Sequence, residues 1–391
     1  MDYKKYVSEG VKKVRISTIR HFFNLVNQMP EAISLCIGEP DFVTPSHISG
    51  AAKRALDEGK TSYTPNPGLM ELRREIADYL KRRFGLQYSP ETEIIVTIGA
   101  SEAIDVAIRT LLNPEDEVLI PEPSFVAYKP CTILAGGRPV FVPTYQEDEF
   151  TLKPDILERY ITPRSKVLIL NYPNNPTGAV MSRKQLEDIA RIVEKHDLIV
   201  VTDEIYAELT YGVEHTAFAT IPGMRERTVT INGFSKAYAM TGWRLGYIAA
   251  PEGLASEMLK VHQYSVTCAP TMGQYAAIEA LRNGDADIEL MRSEYDKRRI
   301  FLLNSLKNMG LECFEPKGAF YIFPSIKNTG LSSEEFAERL LKEKKVAVVP
   351  GSAFGETGQG FIRIAYATSM ANLEEAVDRI DAFLKEIKYR P

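Results

Sequence analysis

Seven short apolar runs recur through the middle of the chain, at residues 94–98, 117–120, 139–142, 167–171, 198–202, 228–232 and 245–249. Several are unbroken Val, Ile and Leu, as in Ile94-Ile95-Val96 and Ile199-Val200-Val201. A strand with one wet face alternates polar and apolar residues, whereas a strand buried on both faces does not. Between the runs lie stretches of helical spacing, such as 101–112 and 182–196. The second opens on Ser182 with Gln185 three residues on, a pairing that satisfies two orphan amides reciprocally. Buried strands alternating with helices predict an α/β fold, with a mostly parallel seven-stranded sheet covered by helices in a large domain. In such sheets, ligands bind at the carboxyl ends of the strands.

A chain of 391 residues is too long for one ordinary core. From about Asp287 the texture changes to a long charged helical stretch, then short strands at 320–323, 346–349 and 361–366, with helices at 332–344 and 372–388. The expected division is an N-terminal arm with part of a small domain (1–45), a large domain (46–286) and a smaller α+β domain (287–391). A net charge of -5, with no basic cluster interleaved with aromatics, argues against nucleic acid. No apolar run reaches the roughly 20 residues of a membrane helix, and the polar start has no signal-peptide core. A cytoplasmic protein is expected. Cys36, Cys131, Cys268 and Cys313 are widely spaced and read as reduced thiols. His21, His47, His196, His215 and His262 show no metal-ligand spacing, so no metal is expected.

Lys236 follows the run 228–232 among small residues, in Gly233-Phe234-Ser235-Lys236-Ala237, with Arg244 eight positions on. A buried, activated lysine can form a Schiff base with a carbonyl compound. An arginine can grip a phosphate with its planar fork. Carbonyl and phosphate on one ligand point to pyridoxal phosphate, whose ring is an electron sink. Five more features lie at strand ends or in the C-terminal region. Gly99-Ala100-Ser101 begins a helix after a strand and offers amides to a phosphate. Phe125, just past another strand, can stack on a flat ring. Asn175 lies in the rigid loop Pro173-Asn174-Asn175-Pro176. Asp203, at the end of a buried strand, can keep a pyridine nitrogen protonated, with Tyr206 near a ring hydroxyl. Arg363 is a charge in an apolar strand, where burial without a partner is costly and a substrate carboxylate is a natural partner. Taken singly, each also has a structural reading: a plain turn, a core aromatic, a helix cap, a salt bridge. Their order and joint presence weigh against that.

Together these residues resemble the class I/II aminotransferases of fold type I, which depend on pyridoxal phosphate. The resemblance runs from Ser34-Leu35-Cys36-Ile37-Gly38-Glu39-Pro40 through Asn175-Pro176-Thr177-Gly178, Asp203-Glu204-Ile205-Tyr206 and Ser235-Lys236 to Arg363. It implies that Lys236 binds the cofactor covalently and then moves the substrate proton, and that Asp203 pairs with the pyridine nitrogen. Tyr206 and Asn175 would bond the ring hydroxyl oxygen, and Phe125 would stack on the ring. Gly99, Ala100, Ser101, Ser235 and Arg244 would hold the phosphate. Tyr63 would reach the phosphate of a neighbouring subunit, making the active form a homodimer with shared sites. Arg363, Gly38 and Asn175 would hold the substrate α-carboxylate.

Two departures stand out. Many members carry a phosphate-binding serine where this chain has Gly233. One aspartate-using group carries a lysine at the position of Ser101. The closest resemblance is to aromatic-amino-acid aminotransferases, with 2-oxoglutarate as a natural acceptor in a ping-pong reaction. Aspartate and N-acetyl-diaminopimelate aminotransferases are the alternatives within the family. A carbon–sulfur β-lyase on the same fold is another, and a non-enzymatic regulator domain that senses the cofactor is a weaker one. A Rossmann enzyme is disfavoured because no GxGxxG follows a strand.

Overall fold

The computed structural model describes residues 1–16, 29 and 31–388. His21 and part of the expected N-terminal arm lie outside the described residues. Among the described residues twelve strands follow in chain order: β1 (Ile33–Ser34), β2 (Ile94–Thr97), β3 (Glu117–Glu122), β4 (Arg138–Pro143), β5 (Ser165–Leu170), β6 (Ile199–Asp203), β7 (Thr228–Gly233), β8 (Gly246–Ala249), β9 (Tyr321–Ile322), β10 (Val346–Ala347), β11 (Val349–Pro350) and β12 (Ile362–Ala365).

The seven apolar runs form one sheet in the order β2-β8-β7-β6-β5-β3-β4. Its strands are parallel except β8, which runs antiparallel to both neighbours, β2 and β7. The apolar runs are continuous because successive residues face two different cores. Val167, Ile169 and Val201 pack with Ile104, Ala107 and Ile108 of the helix Gly99–Leu111. The intervening Leu168, Leu170 and Val200 pack with Leu186, Ile189 and Val193 of the helix Arg183–Lys195 on the other face. Each such side chain removed from water contributes about 1.5–3 kcal/mol. A polar residue on either face would forfeit that. The Arg183–Lys195 helix starts with the expected reciprocal cap: Ser182 Oγ accepts from the Gln185 amide, and Gln185 reaches back to the Ser182 amide.

The C-terminal region carries a three-stranded antiparallel sheet, β11-β12-β9. The helices Asp285–Asn308, Ser333–Lys344 and Met370–Lys388 share a core with it. β1, from the N-terminal region, pairs in parallel with β10. The single strand expected at 346–349 is divided. β10 pairs with β1, the chain then changes partner, and β11 pairs with β12. Pro350 has no amide with which to extend the ladder. We propose 1–45, 46–286 and 287–391 as the working division of the chain, although the limit at 286/287 falls in the first turn of the helix Asp285–Asn308.

Six strands end at the same edge of the large sheet: β2 at Thr97, β3 at Glu122, β4 at Pro143, β5 at Leu170, β6 at Asp203 and β7 at Gly233. The loops leaving that edge carry most of the polar residues singled out in the sequence.

Candidate active site

A cavity of about 860 Å³ opens at this edge. Eleven of the thirteen expected residues line it: Gly38, Ala100, Ser101, Phe125, Asn175, Asp203, Tyr206, Ser235, Lys236, Arg244 and Arg363. Gly99 lies immediately behind, at φ +71°, and a β-carbon there would come 2.7 Å from the Arg244 guanidinium. Only a residue without a side chain lets that arginine lie across the start of the helix. The helix Gly99–Leu111 has no side-chain cap, so its first amides are donors in search of an acceptor.

Lys236 Nζ donates to the carbonyl of Gly38 at 2.7 Å. Burial lowers its pKa to about 8. The Glu39 carboxylate opposes that shift, while Arg244 and Arg363 reinforce it. Asp203 is buried at the end of β6. Its Oδ2 accepts from the Tyr128 hydroxyl at 2.8 Å, and its Oδ1 accepts from the Ile205 amide at 3.3 Å. Burial raises the carboxyl to about 6 in spite of these donors. The loop after β5 is tied to the same strand end: Asn171 Nδ2 donates to the Asp203 carbonyl, and the Asn175 amide donates to Asn171 Oδ1.

Arg363, on β12, is 3% exposed. One Nη donates to Asn175 Oδ1 at 2.9 Å, and the other to the Cys36 carbonyl at 2.6 Å. Its guanidinium lies over the Tyr321 and Phe354 rings, at 4.5 and 4.9 Å from their centroids. Its Nε is buried without an acceptor. Among the described residues no carboxylate pairs with it, so a buried positive charge faces the cavity without a counter-ion.

Several lining or supporting residues were not picked out from the sequence. Tyr321 Oη pairs with Tyr206 Oη at 2.7 Å. Tyr321 sits in Phe320-Tyr321-Ile322-Phe323, a run that reads only as core. Tyr128, Asn171 and Cys36 support Asp203 and Arg363 through the bonds above; Asn171 and Cys36 fall within stretches that stand out in the sequence, yet nothing there gives them a role. Val11, Val14, Arg15 and Ile16 reach the cavity from the N-terminal segment. Gly233 has a steric cause: a β-carbon there would press within 2.8 Å of the Leu245 carbonyl on the strand crossing to β8. A serine here would need the backbone to shift, and Ser235 is the serine that lines the cavity on this side.

Tyr63 is not brought into the cavity of its own chain and is 85% exposed. Its loop is nonetheless pinned. Thr271 Oγ1 donates to the Ser62 carbonyl, Asn66 Nδ2 donates to the Thr267 carbonyl, and the His262 ring bonds the Asn66 carbonyl.

Residues 30–380 match the model of aminotransferase class I and II. The chain belongs to the class I and II aminotransferases. It is 51% identical over 385 residues to aromatic-amino-acid aminotransferase 2 of Thermococcus litoralis, covering 98% of this chain and 99% of that one. It is equally identical, over the same length and coverage, to an aspartate aminotransferase of Pyrococcus abyssi. The crystal structure of an aromatic aminotransferase from Pyrococcus horikoshii superposes with a TM-score of 0.90 at 51% identity, over 95% of this chain and all of that one. This aminotransferase is therefore an enzyme of the transaminase type, dependent on pyridoxal phosphate and acting on amino and 2-oxo acids. The residues present fit that cofactor. The uncapped helix start beside Arg244 offers free amides and a guanidinium to a phosphate, and a partly buried amine and a buried carboxylate line the same cavity.

Proposed function

We propose that the enzyme moves the amino group of an aromatic α-amino acid to a 2-oxo acid such as 2-oxoglutarate, in two half-reactions at one site. The observation that carries this reading is Arg363, a buried cation without a counter-ion in the same cavity as an amine whose pKa is about 8. A substrate carboxylate satisfies the first and a substrate α-proton uses the second.

Bound pyridoxal phosphate supplies an aldehyde for an amine and a ring that accepts electrons from the substrate α-carbon. Lys236 holds it and then takes and returns the α-proton, with a pKa near the working pH as a general base requires. Asp203 holds a proton on the pyridine nitrogen. Tyr206 and Asn175 bond the ring hydroxyl oxygen, and Phe125 stacks on the ring. The amides of Gly99, Ala100 and Ser101, with Ser235 and Arg244, hold the phosphate. Arg363, Gly38 and Asn175 orient the α-carboxylate.

The α-carboxylate is common to all donors, so selection falls to the rest of the cavity. Ile37, Ile104, Phe125, Val126 and Ile16 give it apolar walls, and position 101 is a neutral serine. In a screen with 2-oxoglutarate, phenylalanine and tyrosine are expected to exceed aspartate in kcat/KM. A clear preference for aspartate over every aromatic donor overturns the specificity and leaves transamination standing. Arg363→Lys keeps the charge but loses the fork. It is expected to lower kcat/KM for all donors by about 10- to 100-fold, as for one charged hydrogen bond, without changing their ranking.

We further propose a homodimer in which Tyr63 completes the site of a second copy. An exposed aromatic on a pinned loop supports this. Mixing Tyr63→Phe chains with Lys236→Ala chains tests it. Hybrids contain one site free of both changes and are expected to regain part of the activity. A fully active monomer in sedimentation overturns it.

A further inference from the structure

The cavity has more positive charge than the proposed ligands so far require. Of its charged lining residues, Arg15, Lys236, Arg244 and Arg363 are cationic and Asp203 alone is anionic. The phosphate takes Arg244 and the α-carboxylate takes Arg363. Lys236 is engaged by the chemistry. Arg15 is left over. It makes no hydrogen bond or ion pair among the described residues, and it is exposed.

Its position is set by packing. The short helix Glu9–Lys13 is capped by Ser8, whose Oγ accepts from the Val11 amide. That helix packs against the helix Tyr128–Leu134 beside the cavity. A β-carbon on Gly10 would lie 3.6 Å from the Ile133 carbonyl, so the contact is close. The chain leaving this helix carries Val14, Arg15 and Ile16 to the cavity. Two apolar side chains thus flank one cation at a site that must take both an aromatic ring and an acidic side chain.

We infer that Arg15 is a specificity residue that holds the distal carboxylate of a dicarboxylate substrate, such as glutamate or 2-oxoglutarate. Val14 and Ile16 serve the ring of an aromatic substrate in the alternate half-reaction. The inference rests on transamination between the two substrate classes. A flexible arginine suits this double use. Its fork can pair with a carboxylate, and its stem can lie against apolar surface when an aromatic ring enters and the charge stays in water.

The test uses the loaded enzyme and its Arg15→Ala and Arg15→Lys variants. Calorimetry measures binding of glutarate, which has two carboxylates, and of 3-phenylpropionate, which has one carboxylate and a ring. Single-turnover absorbance measures the half-reactions with glutamate and with phenylalanine. Arg15→Ala is expected to weaken glutarate and slow glutamate by about tenfold, the order of one partly solvated charged pair. It should change 3-phenylpropionate and phenylalanine by less than about twofold. Arg15→Lys is expected to fall between, keeping charge without the fork. An equal loss for both classes overturns the inference, because the segment is then only structural. No change for either class also overturns it. If the unsubstituted enzyme prefers aspartate to aromatic donors, the aromatic reading fails, while the ratio of glutarate to 3-phenylpropionate binding still decides the role of Arg15.

Discussion

Lys236→Ala is expected to lose at least about a thousandfold in turnover, because one side chain both holds the cofactor and moves the proton. Positioned proton transfer alone contributes about 10²–10⁴-fold, and losing the covalent attachment adds to that. Borohydride reduction of the loaded enzyme should leave the cofactor's mass on the Lys236 peptide. An adduct on another lysine refutes the assignment. The amine can also be read without the cofactor. An unperturbed lysine titrates near about 10.4, whereas burial brings Lys236 to about 8. In cofactor-free protein, the rate of modification of Lys236 by an amine-directed reagent should therefore rise with a midpoint near 8. Exposed lysines should respond only at higher pH. A midpoint above 10 at Lys236 would remove the argument that burial keeps it ready as a base.

Asp203→Asn is expected to lower turnover by about 10²–10⁴-fold with a much smaller loss of bound cofactor. The amide has nearly the same shape, and its single oxygen can still accept from the Ile205 amide or from the Tyr128 hydroxyl, though not from both as the two carboxylate oxygens do. What it lacks is the charge that holds a proton on the pyridine nitrogen. The raised carboxyl pKa sets the sign of the pH dependence. Above about 6 the group is ionised and the proton is held. As pH falls through that value the carboxyl protonates, and the rate should fall with it. A pyridinium partner favours the ionised form and moves this limb to lower pH. Near-normal turnover in Asp203→Asn with cofactor bound would end the electron-sink role given to Asp203.

Much of the site was legible because strand ends leave marks in sequence. Asp203, Asn175 and Ser235-Lys236 each follow an apolar run of β-type, and the parallel sheet gathers such ends at one edge. Arg363 was legible as a charge in an apolar strand, and Gly99-Ala100-Ser101 as a turn into a helix. Tyr128, Asn171 and Tyr321 were not. Each looks locally like core or turn, and its value lies in a hydrogen bond to a residue distant in sequence. Arg15 was invisible for a different reason. An isolated arginine in a polar N-terminal stretch has no periodicity to distinguish it from a solvated one.

The chain's own pattern was enough for the α/β architecture, the seven strands and the cap at Ser182. These follow from short-range rules: side-chain alternation, helical spacing and reciprocal capping act over a few residues. Tertiary structure alone decided that β8 runs against its neighbours and that residues 346–350 divide between two partners. It also decided that the chain leading to β8 passes close to Gly233. The unpaired charge of Arg363 and the arrival of Arg15 at the cavity were likewise settled there. Strand direction, close approach and the absence of a counter-ion depend on what packs nearby, and residues far apart in the chain determine that.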